Sequence, residues 1–151
     1  MKGTLSRYLL VFLLGLLPFS SCSDLDEDEN AELNREIKRG LSGTWVAVSV
    51  QNEYSEPFYD VEGYEVSPQD FGYLRFEDGI DVDACYTSSH SFLEFIGEPY
   101  YVVRDQQLMV GDKYYPLVWN GADNEFTMKC RYYYDTVGNY LVYFVTFKRF
   151  K

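Results

Sequence analysis

Hydrophobic and polar positions follow two different periods along this chain. Over Glu29–Leu41 the good helix formers Ala31, Glu32, Leu33, Arg35, Glu36 and Lys38 surround an apolar stripe of Leu33, Ile37 and Leu41. That spacing of four predicts a short amphipathic helix, ended by Gly40 and Gly43. From Thr44 onward the period falls to two. Candidate strands rich in Val, Tyr, Phe and Thr run over Thr44–Asn52, Gly72–Glu77, Ile80–Thr87, Ser91–Ile96, Tyr100–Arg104, Gln107–Val110, Lys113–Trp119, Glu125–Tyr133 and Tyr140–Arg149. Turn signals separate them at Glu77-Asp78-Gly79, Val110-Gly111-Asp112, Asn120 to Asn124 and Val137-Gly138-Asn139. Loops this short join antiparallel neighbours, so the pattern is a meander of eight or nine strands with no room for crossover helices. Such a chain makes a sandwich or a closed up-and-down barrel. Gln51–Gln69, with Pro57, Pro68 and several acids, is the one long irregular connection and is expected to cross an open barrel end.

The N-terminus has a different character. Lys2 and Arg7 precede a run from Tyr8 to Leu17 that is apolar apart from Gly15. It is shorter than the ~20 residues a membrane-spanning helix needs and suits the core of a secretion signal. Phe19-Ser20-Ser21-Cys22 follows and resembles a bacterial lipobox, with Phe19 where an aliphatic residue is usual. The resemblance implies that residues 1–21 are a signal peptide and that Cys22 carries the lipid that anchors the chain to a membrane. Between Cys22 and Asn34 lie six acids and no base. Such a stretch is a self-repelling, solvated tether. It is also similar to the signal that sends some Gram-negative lipoproteins to the outer face of the outer membrane. The expected organisation is signal peptide over 1–21, acidic tether and short helix over 22–40, and a barrel domain over 41–151.

Charge narrows the function classes. The 151-residue chain has a net charge of −11, and without its first 21 residues it carries 11 basic against 24 acidic side chains. A nucleic-acid binder needs a basic face, so no nucleic-acid partner is expected. With 15 Tyr and 11 Phe the chain has ample material for a core.

Leu41-Ser42-Gly43-Thr44-Trp45 carries a resemblance. A Gly-x-Trp opening the first strand after a short helix, the Leu74-Arg75-Phe76-Glu77-Asp78-Gly79 hairpin and the terminal Phe147-Lys148-Arg149 resemble the lipocalin-like domains of small bacterial lipoproteins. The likeness covers Leu41 to Lys151. It implies an all-β fold, an antiparallel up-and-down eight-stranded lipocalin-like barrel with a short N-terminal helix. Alternation alone puts Leu141, Tyr143, Val145, Phe147 and Arg149 on the inner face of the last strand. The resemblance then implies a barrel-closing set of Gly43, Trp45 and Arg149, with the Arg149 guanidinium across the Trp45 ring. With Trp45 inward, Ala47 and Ser49 are inward too, and Val46, Val48 and Val50 face outward under the helix stripe. Small residues beside a Trp leave room, so Ala47, Ser49, Phe126, Met128, Tyr143 and Val145 are candidate pocket-lining residues.

No motif selects a catalytic set, and no enzyme activity or cofactor is expected. His90, the single histidine, is flanked by Ser88, Ser89 and Ser91, but no nucleophile elbow surrounds it, and it reads as a surface or rim residue. Zinc would need further His or Cys ligands at suitable spacing. The acids Asp81 and Asp83 alternate with Ile80, Val82 and Ala84 and do not match a calcium loop. Cys85 is expected outward and Cys130 inward, a phase that opposes a disulfide unless a bulge reverses it. The runs Tyr100-Tyr101, Tyr114-Tyr115 and Tyr132-Tyr133-Tyr134 each put one ring in and the next out. Two functions are expected from this. One is a lipid-anchored outer-membrane module holding a small, mostly apolar ligand in its barrel. The other is a surface interaction protein with a filled barrel that binds a protein or glycan partner through outward tyrosines or the rim.

Overall fold

The computed structural model describes residues 24–78, 84–87, 100–111 and 113–151. Helix α1 spans Asp24–Leu41 and is followed by eight strands, β1 Gly43–Gln51, β2 Tyr73–Glu77, β3 Ala84–Thr87, β4 Tyr101–Arg104, β5 Gln107–Val110, β6 Lys113–Asn120, β7 Glu125–Tyr133 and β8 Tyr140–Arg149. The helix starts five residues before the Glu29 expected from the sequence. The acidic stretch is therefore part of the helix, and Lys38 and Arg39 complement the negative end of the helix dipole in its last turn.

All eight strands form one sheet in the order β3-β2-β1-β8-β7-β6-β5-β4. Every pairing is antiparallel, and the bridge between Ala84 and Tyr100 joins the two outer strands. The result is an up-and-down, nearly closed eight-stranded barrel with a short N-terminal helix. The Phe76 and Tyr101 rings meet edge to face at 5.1 Å across that seam, and the Tyr101 hydroxyl donates to Asp78. Both contacts tie the β2 side of the sheet to Tyr101 on β4. The expected strand Ser91–Ile96, the acids Asp81 and Asp83, and His90 lie outside the described residues.

One irregularity resets a strand's phase. Between Ala47 and Ser49 the β1–β8 register shifts, so Val48 is the extra residue of a bulge. Val48 is exposed, and Val50 then pairs with Val145 and is buried. Strict alternation put Val50 outside, and the bulge reverses this. The helix stripe also packs elsewhere than on the outer valines. Ile37 and Leu41 are buried in the main core with Trp45, and Asn34 accepts from the backbone of Gln106 at the β4–β5 turn. The apolar stripe of an amphipathic helix is buried against the core, and here it joins Trp45 rather than the outer valines of β1.

The long connection after β1 closes the other end. It pairs with the end of β1 through Phe58 N–H to Val50 and with itself through Val66 N–H to Phe58, and ends in a 3-10 turn over Pro68–Phe71. Ser67 and Asp70 form a capping box there. Phe58, Val66 and Phe71 are buried.

Candidate functional site

At the α1 end the first and last strands meet as Trp45 opposite Arg149. Trp45 has no accessible surface, and the Arg149 guanidinium carbon lies 4.5 Å from its ring centroid. The same guanidinium donates to the Ser42 carbonyl at 2.6 Å and to the Gly40 carbonyl, and Nε donates to Asn124 at 3.3 Å. The Trp45 indole donates to the Leu41 carbonyl at 2.7 Å. The carbonyls that end α1 are thus satisfied by two side chains of the barrel. Gly43 has φ +118°, a conformation that favours glycine, and a Cβ there would sit 2.8 Å from the guanidinium. Trp119 completes this end. Its indole donates to Glu36, its ring packs against Trp45 at 5.9 Å, and a Cβ at Gly40 would lie 2.1 Å from it.

The barrel interior is a continuous apolar core. Phe126 stacks on Phe147 at 5.2 Å and meets Trp45 at 4.9 Å. Tyr143 stacks under Phe58 at 4.8 Å and touches Phe71 at 5.9 Å, so the loop side chains reach the barrel wall. Phe126, Met128, Tyr143 and Val145 each have 0% exposure, which means that no water-sized space touches them. Ala47 is partly buried and packs on this core. Ser49 does not line the interior. The Val48 bulge pairs it with Thr146, whose hydroxyl bonds Thr127 on the outer face, and the inward position passes to Val50. The signal for Phe58, Val66 and Phe71 was present as isolated apolar residues in an acidic loop.

Cys85 lies inward, against the outward phase read from the sequence. It pairs with Phe76 and is fully buried, while Ala84 is half-buried and Tyr86 is exposed. The face of Cys85 is set by its pairing opposite the inward Phe76 on β2, and Ile80 and Val82, from which the outward phase was counted, lie outside the described residues. Cys130 is also inward, and both thiols are free. Burial pushes the Cys130 thiol up to about 12, with a Tyr143 hydrogen bond opposing, and also raises that of Cys85. Thiols held neutral this way are poor nucleophiles.

Outside the barrel each tyrosine run exposes at least one ring. Tyr100, Tyr114, Tyr133 and Tyr134 face solvent, while Tyr101 and Tyr115 are buried and Tyr132 packs on the core. Two outer positions carry arginine over a ring, Arg75 on Tyr86 at 5.1 Å and Arg131 on Tyr140 at 5.0 Å. Tyr133 and Tyr140 pair across β7 and β8 with centroids 5.4 Å apart. A hydrogen bond to Tyr133 raises the pKa of Arg131. The hairpin beyond is set by Asp135, which accepts from Val137 N–H and from the Asn139 backbone and side chain. An open groove of about 250 Å³ beside α1 is lined by Glu32, Arg35, Glu36 and Arg39, of which Glu36 is engaged by Trp119.

Among the described residues no group of His, Cys, Asp and Glu could hold a metal ion, and no helix is long and apolar enough to cross a membrane. Cys22 lies outside the described residues. No protein-family profile, curated protein or solved structure matches this chain.

Proposed function

We propose that this chain is a surface interaction module with a filled barrel, held at a bacterial outer membrane by lipid on Cys22, and that it engages a protein or glycan through outward aromatic side chains. The observation that carries this reading is the contrast between the two faces of the strands. Inside, Phe126, Met128, Tyr143 and Val145 have no accessible surface, and Phe58 and Phe71 stop the mouth opposite α1. A small-molecule site needs a concave space with convergent polar groups. Outside, large rings stay in water, including Tyr114 at 61% and Tyr133 at 50% exposure. Tyrosine supplies contact area together with a polar handle, which suits recognition surfaces. The anchor rests on the sequence of Lys2 to Cys22.

Three measurements test the reading. Native mass spectrometry of the chain purified without its lipid should show the bare polypeptide mass, and a retained small apolar molecule would favour a ligand-holding barrel instead. Photo-crosslinkers placed at Tyr86, Tyr114 and Tyr133 in intact cells should trap a partner from at least one position. In the same cells, Cys22→Ala should abolish labelling by a fatty-acid analogue, and persistent labelling would remove the lipoprotein part of the proposal.

A further inference from the structure

We propose that the outer face of β7 and β8 binds a linear anionic polysaccharide, one bearing carboxylate or sulfate groups along its length. This inference deepens the reading of the chain as a surface interaction module and rests on it. The register fixes the face. Glu125 lies opposite Lys148, Thr127 opposite Thr146, Lys129 opposite Phe144, Arg131 opposite Val142 and Tyr133 opposite Tyr140. Within a chain of net charge −11, this row carries three bases and one acid. The acid, Glu125, is paired with Lys148 at 3.2 Å. Lys129 and Arg131 are exposed and form no ion pair among the described residues. Arg131 is held instead over the Tyr140 ring, beside Tyr133. An unpaired cationic pair on an otherwise acidic protein is a charge-selective element, because anions elsewhere on the surface are repelled.

The shape of the row selects the class of ligand. From Glu125 to Tyr133 it is about 27 Å long at ~3.4 Å per residue, and it is only two strands wide, with strands ~5 Å apart. A globular protein partner needs about 800 Å² on each side and a protruding anchor at its centre. Here the central apolar residues Val142 and Phe144 are half-buried and offer no anchor. An added peptide strand has no place, since β7 is hydrogen-bonded to β6 and β8, and β8 to β7 and β1. A narrow strip with cations along it and two tyrosine rings at its end matches an extended chain of sugar rings. Carboxylates or sulfates would meet Lys129 and Arg131, and the C–H face of a sugar would lie on Tyr133 and Tyr140.

The test is retention of the full-length chain, in mild detergent, in affinity gels containing polygalacturonate, chondroitin sulfate, neutral dextran or poly-glutamate. The expected result is retention by polygalacturonate, chondroitin sulfate or both, weakening with added salt, and none by dextran or poly-glutamate. The first two gels distinguish carboxylate from sulfate. Lys129→Gln with Arg131→Gln should weaken retention by about tenfold. Tyr133→Ala with Tyr140→Ala should weaken it while leaving the charges in place. The corresponding Phe variants should retain it, and Val102→Ala, an exposed position on β4 outside the row, should change nothing. Unaltered near-ultraviolet dichroism would show that each variant is folded. No retention by either polyanion, equal retention of the Lys129/Arg131 variant, or preferential retention by poly-glutamate would overturn the polysaccharide assignment. A protein crosslinked from Tyr133 alongside such a result would leave the broader module reading standing, whereas a retained barrel ligand without any crosslink would remove both.

Discussion

Trp45 and Arg149 stand opposite each other on β1 and β8, with the guanidinium stacked on the indole and bonded to the carbonyls of Gly40 and Ser42. One contact thus ties the first strand, the last strand and the end of α1. Trp45→Ala should destabilise the protein by ~3–5 kcal/mol, as for other buried large aromatics. Arg149→Ala should cost less by itself but leave helix carbonyls unsatisfied. Chemical denaturation of both single variants and the double variant should show non-additivity. Strict additivity would mean that the two side chains act independently.

Gly40 and Gly43 should tolerate no side chain. Gly40→Ala puts a methyl into the Trp119 ring, and Gly43→Ala adds one at φ +118° against Arg149. Each should cost about 1–3 kcal/mol, by overpacking in the first case and backbone strain in the second. Thermal melts measure this, and an unchanged midpoint in Gly40→Ala would show that Trp119 can leave its site freely.

The loop side chains that stop the barrel should behave as core. Phe58→Ala and Phe71→Ala should each destabilise by ~3–5 kcal/mol and open apolar space against Tyr143. A small aromatic probe followed by ligand-detected NMR should bind these variants and not the parent. Binding to the parent with equal affinity would show that the space already exists.

The two thiols set an alkaline limit on stability. Both have folded pKa values above the ordinary thiol value of 9.0, so both stay protonated in the fold. Their contribution is complete below that pH and is lost as the pH rises, since the unfolded chain then releases protons that the folded chain retains. Denaturation midpoints should fall between about pH 9 and 11 in the parent and fall less in Cys130→Ala. At pH 8 an aromatic disulfide reagent should titrate neither buried thiol until denaturant is added. Rapid native reaction of either would contradict their burial.

Strand phase was legible in the sequence wherever the ladder runs without interruption. The inward set of Tyr143, Val145 and Phe147 on β8 follows from strict alternation because that strand carries no bulge of its own. Ser49 and Cys85 were misread for local reasons. Val48 adds one residue to β1, so counting by twos across it gives the wrong face, and Cys85 takes its face from its partner Phe76 on β2, which no count along its own strand contains. The α1 stripe was legible, but its docking site was not, since a stripe carries no information about which apolar surface will cover it. Phe58, Val66 and Phe71 share no period because they sit in a loop whose shape is set by Pro57, Asp60 and the Ser67 cap. The Lys129 and Arg131 row emerges only when β7 is set beside β8, because its meaning lies in the missing acids of the neighbouring strand.

The loop that stops the barrel mouth has a thermodynamic corollary. Phe58 and Phe71 are covalently tied to the wall they fill, so they press on it at an effective concentration in the millimolar range or above. A diffusing apolar guest would have to outcompete tenants that never leave, and its apparent affinity would fall by the small fraction of time the mouth stands empty. Shortening that one connection would remove the tenants without touching a strand, so receptor and sealed scaffold are separated in this architecture by a single loop.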